Sequence, residues 1–100
     1  MNEVVDFINV NRDRYVEELK QYLAIPSVSA LPEHAGDVRR AAEWTADALR
    51  AAGLENVRLI DTPGNPVVYG DWLHAPSTSS GQAAPTILFY GHYDVQPVDP

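Results

Sequence analysis

The 100-residue chain contains no cysteine. Disulfides, thiolate metal sites and a cysteine nucleophile are therefore excluded, and the lack fits a reducing compartment. Basic residues are scarce: seven Lys and Arg against fourteen Asp and Glu leave a formal charge of −7. Nucleic-acid binding needs clustered cations. The one adjacent basic pair is Arg39 and Arg40, so nucleic acid is not an expected partner. Long apolar runs are missing too. No stretch approaches the ~20 residues of a membrane span. The first residues carry Glu3 and Asp6 rather than a signal-peptide core. These absences lead to the expectation of a cytoplasmic protein with no membrane partner.

What remains is the composition of an ordinary globular protein, 45% hydrophobic and 21% charged. Its length allows one domain at most, or part of a larger one. Over residues 3–23, Val4, Ile8, Tyr15, Leu19, Tyr22 and Leu23 recur at helical spacing. Arg12 interrupts the stripe, which allows two shorter helices, and Pro26 ends the segment. The connector "IPSVSALPEHAG" (25–36) follows. A second helical stripe, Val38, Ala41, Ala42, Thr45, Leu49 and Ala52, begins after Asp37 as N-cap and stops at Gly53.

Beyond Gly53 the period changes. "VRLI" (57–60) and "VVYGDWL" (67–73) have strand composition, with the turn cluster Pro63–Pro66 between them. "TILFYG" (86–91) is expected as a third strand, covered on both faces because its apolar run is continuous. "HAPSTSSGQAAP" (74–85) reads as a surface loop. The expected fold is α/β, two helical regions followed by strands of a mixed central sheet, across an incomplete domain at 1–100.

Just past the third strand comes His92-Tyr93-Asp94. In extended chain, residues i and i+2 face the same side roughly 7 Å apart, so His92 and Asp94 can share a cavity. Neutral imidazole is the commonest metal ligand, and a ligating histidine usually donates its other N–H to a carboxylate. Asp94 suits that role, and Gly91 would allow close backbone approach beside it. A structural alternative is a histidine at a strand end that merely bonds a turn aspartate. One imidazole and one carboxylate cannot close a zinc site, which needs at least three protein ligands. His34 and His74, in polar connectors, read as solvated. Asp61, Asp71 and Asp99 read as strand-end or turn charges, Trp44 and Trp72 as packing residues, and the Glu17–Glu18 pair as a solvated helix face. Ser27 and Ser29 lack a nucleophile-elbow context.

"ILFYGHYDVQPVDP" (87–100) resembles the metal-binding signature of the M20 metallopeptidases, in particular their dipeptidase branch of carnosine- and Cys-Gly-hydrolysing enzymes. "LAIPSVSA" (23–30), "DVRRAAEWTADALRAAGLENVRLI" (37–60) and "NPVVYGDWLHAP" (65–76) resemble the family's preceding elements. The resemblance implies that His92 is the first zinc ligand and that Asp94 orients it, counted with the catalytic residues. It implies two Zn2+ ions, with Mn2+ or Co2+ as alternatives, a small peptide substrate and a homodimer. The bridging aspartate, the Glu-Glu pair and the later ligands of the family would lie beyond residue 100, as would its lid domain. The implied function is zinc-dependent dipeptide hydrolysis by a metal-activated water. The alternatives are an N-acyl amino acid deacylase or desuccinylase of the same family, or a truncated non-catalytic product.

Overall fold

The computed structural model describes residues 2–76 and 84–98. The first helical region is two helices, α1 (Asn2–Val10) and α2 (Arg12–Leu23). They break at Asn11, one residue before the arginine that interrupts the apolar stripe. Asn11 Nδ2 donates to the Phe7 carbonyl at 2.8 Å and its Oδ1 accepts from Arg14 at 3.3 Å. An asparagine side chain thus competes for backbone groups where a continuous helix would need them.

The third helix, α3 (Ala35–Ala51), starts two residues before the expected cap. Residues Pro32–His34 form a 3-10 turn that feeds directly into it. Asp37 is therefore in the first turn rather than at the cap, a correction to the sequence reading. From there its carboxylate faces the positive end of the helix dipole and binds both His34 Nδ1 (2.7 Å) and the Arg40 guanidinium. The stop is as expected: Gly53 has φ of 97°, a conformation that costs glycine little and other residues more.

Strands β1 (Glu55–Ile60) and β2 (Val67–Asp71) form an antiparallel hairpin. Asn56, at φ 53°, sits in the register shift between Glu55 and Arg58. Asparagine tolerates this left-handed backbone, and its Nδ2 is anchored to Asp71 Oδ1 at 3.0 Å. The hairpin packs on α3 through small residues. Val38, Ala41, Ala42 and Ala46 are the buried positions of that helix. Gly70 marks the tightest approach: a Cβ there would lie 3.2 Å from Val57 Cγ2 and 3.4 Å from Leu49 Cδ1 and Leu54 Cδ2.

The third strand does not form. Residues 84–94 make no ladder, and Ile87, Leu88, Phe89 and Tyr90 are 74–93% exposed. The run encodes burial on two faces and pairing on two edges. Among the described residues the sheet is only the β1–β2 hairpin, so neither edge nor face is supplied. The expected α/β fold holds: among the described residues three α-helices accompany a two-stranded antiparallel sheet. Among the described residues, the parallel pairing is an isolated bridge between Val28 and Val95. Most of the 74–85 loop, together with Asp99, lies outside the described residues.

Candidate functional site

Three segments distant in sequence meet around residues 92–95: the end of α2, the connector that follows it, and the start of β2. Val95 N donates to the Ser27 carbonyl at 3.0 Å, which fixes the Val28–Val95 bridge. The Tyr22 hydroxyl and, at 3.4 Å, the Ser27 hydroxyl both donate to the Tyr93 carbonyl. The Tyr93 hydroxyl donates to the Pro66 carbonyl at 2.6 Å. Ser27 and Val28 are buried, so the connector forms a solid backing for the segment. Tyr22 in turn packs on Trp44 of α3, with ring centroids 5.2 Å apart.

On this support His92 Nδ1 lies 3.0 Å from Asp94 Oδ1. The other carboxylate oxygen, Oδ2, accepts from the Ser29 hydroxyl at 2.5 Å. The Ser29 bond, followed by the His92 bond, holds the Asp94 carboxyl below the usual carboxylate range against an opposing effect of desolvation. An ionised carboxylate only accepts. Asp94 therefore accepts a hydrogen bond from His92 Nδ1–H, which in the neutral ring leaves the Nε2 lone pair free. The same negative charge, after burial, raises the pKa values of Tyr22 and Tyr93. Both remain hydrogen-bond donors at neutral pH.

The site is open. The His92 side chain is 75% exposed and that of Asp94 36%. His92 borders a cleft of about 510 Å³ walled by Val38, Thr45 and Leu49 of α3, by Pro66–Val68, and by Phe89–Asp94. Gly91 does not serve the close approach expected of it, since a Cβ there would meet nothing within 4 Å. Among the described residues no group of three or more His, Asp or Glu side chains converges as a metal site. The donor set here fits one corner of such a site: one imidazole nitrogen, with its ring already held by a carboxylate.

The chain resembles known dipeptidases along nearly its whole length. It is 36% identical over 88 residues to a cysteinylglycine-S-conjugate dipeptidase of Corynebacterium striatum, covering 87% of this chain and 18% of that protein. It is 31% identical over 103 residues to a Cys-Gly metallodipeptidase of Candida albicans, covering 97% and 21%. Against a human Beta-Ala-His dipeptidase the identity is 30% over 106 residues, covering 99% and 21%. Its curated homologues are thus Cys-Gly and Beta-Ala-His dipeptidases. The chain spans about a fifth of the length of these curated relatives. No protein-family model matches it, and no solved structure does.

The sequence reading placed His92 and Asp94 together, and they are in contact. It missed Ser29 and Tyr22. Ser29 lacks the context of a nucleophile, yet its hydroxyl binds the Asp94 carboxylate. No local signal points to it, because the contact joins residues 65 positions apart. The remaining candidates fall elsewhere. His34 is half-buried against Asp37, not solvated. His74 is exposed and paired with Glu55 Oε2 at 2.5 Å. Asp71, lowered in pKa by the Asn56 amide and then the Tyr69 hydroxyl, closes the hairpin. Trp44 packs as expected, but Trp72 is exposed, edge-on to His74 at 5.5 Å, and buries no core. Glu18 is on a solvated face, paired with Arg14. No described helix is long and apolar enough to cross a membrane.

Proposed function

We propose that this chain is part of the catalytic domain of a metal-dependent dipeptidase that hydrolyses the amide bond of small peptides. The observation that carries the reading is the His92 Nδ1–Asp94 Oδ1 contact at 3.0 Å. In the neutral ring it occupies one nitrogen and leaves the other free, the arrangement in which histidine ligates metals. The names of the relatives support the reaction class.

In this reading His92 would hold one of two divalent ions, Zn2+ or in its place Mn2+ or Co2+. A bound metal pair supplies a water of lowered pKa and Lewis-acid stabilisation of the developing oxyanion. The contribution of the chain itself is positional. Asp94 keeps the proton on Nδ1 and restrains rotation of the imidazole. Ser27 and Tyr22 hold the backbone carbonyl of Tyr93, between the two residues. The remaining ligands and the general base would come from sequence beyond this chain.

The test is metal removal and substrate choice in the intact protein. Exhaustive chelation is expected to abolish hydrolysis of Cys-Gly and Beta-Ala-His, and Zn2+, Mn2+ or Co2+ to restore it. Full turnover without metal would overturn the reading. Preference for N-acyl amino acids over dipeptides would move the assignment to a deacylase.

A further inference from the structure

We propose that Ser29 is a positioning residue: it fixes the Asp94 carboxylate and, through it, which ring nitrogen of His92 carries the proton. The functional meaning of this relay rests on the reading of His92 as a metal ligand; its test does not.

The geometry is a chain of two hydrogen bonds. Ser29 Oγ donates to Asp94 Oδ2 at 2.5 Å, and Asp94 Oδ1 accepts from His92 Nδ1 at 3.0 Å. A carboxylate turns easily about its last bond, whose torsional preference is broad. One contact to an exposed imidazole leaves that rotation weakly restrained. A second donor on the opposite oxygen defines it. Ser29 is brought there by tertiary structure. The Val95 N–Ser27 carbonyl bond and the Val28–Val95 bridge align the connector beside the 92–95 segment, which sets Ser29 against Asp94. Ser27 cannot substitute, since it is buried and its hydroxyl donates to the Tyr93 carbonyl at 3.4 Å. Without Ser29 the carboxylate would turn away for part of the time, and the ring would exchange its proton between Nδ1 and Nε2. Each such exchange removes the free Nε2 lone pair.

The experiment is 15N spectroscopy of the histidine rings in the metal-free intact protein at a pH where they are neutral. His92 is assigned by the loss of its signals in His92→Gln. The wild type is expected to show His92 mainly in the Nδ1–H form. In Ser29→Ala that form should fall by at least half, while Ser29→Thr, which keeps the hydroxyl, should retain it. His34 and His74, each held by its own carboxylate, report that the fold is intact. An unchanged His92 pattern in folded Ser29→Ala would overturn the proposal, as would a Ser29→Thr pattern like that of alanine. Metal-dependent turnover that survives His92→Ala would instead remove the metal-ligand reading and leave the spectra to decide the relay.

Discussion

Asp94 presents a carboxylate with both oxygens engaged, one by Ser29 and one by His92. Its pairing with His92 was legible in the sequence because two residues at i and i+2 of extended chain share a side. Its pairing with Ser29 was not, because nothing in a connector rich in Pro and Ser marks which hydroxyl will meet a residue 65 positions on. The same holds for Tyr22, which reads as one more apolar position of a helical stripe but spends its hydroxyl on the Tyr93 carbonyl. At this scale the functional prediction is graded. His92→Ala should abolish dipeptide hydrolysis in the intact protein. Asp94→Ala should reduce metal affinity or activity by about 10–100-fold, the usual cost of removing the partner of a ligating histidine. Steady-state kinetics and metal titration on the purified, metal-replete variants check both, and wild-type turnover by His92→Ala would refute the assignment.

Helix α3 and the hairpin packed on it are the best-specified elements. The alanine stripe, Gly53 and the Pro63–Pro66 turn were each readable, since each has a local physical cause. The start of α3 was misplaced for an equally physical reason: Pro32 begins a 3-10 turn that supplies the first helical bonds, so Asp37 is not needed as a cap. It acts instead as a first-turn carboxylate, lowered in pKa by the Arg40 guanidinium and then by His34. A depressed carboxyl pKa gives stability that is present above the ordinary value of 3.8 and is lost as the pH falls through the folded value. The thermal midpoint of the folded protein should therefore drop as the pH falls below about 4. Asp37→Asn should lower that midpoint at pH 7 and make the acid-side fall shallower. Calorimetry across pH 2–7 on the two proteins measures this, and parallel curves would show that Asp37 carries none of the dependence.

Across the whole molecule the chain is open. Its radius of gyration is 17.0 Å, where a compact domain of this length has about 13 Å. Among the described residues the buried apolar side chains are Val28 and four residues of α3, while Val4, Phe7, Ile8 and the 87–90 run stay exposed. The misreading of 86–91 as a formed strand belongs to this scale. Composition encodes that the run should be buried, but burial requires neighbours, and among the described residues no strand pairs with it. The His92–Asp94 pair is nevertheless in place, because the α2 end, the Ser27–Ser29 connector and Pro66 hold it independently of that strand. The metal-ligand role of His92 therefore turns on one ring nitrogen. Anomalous diffraction at the zinc edge, from crystals of the intact zinc-loaded protein, measures it directly. The expected result is a peak about 2.0–2.1 Å from His92 Nε2, with Nδ1 still on Asp94; zinc bound only at sites remote from His92 would contradict it.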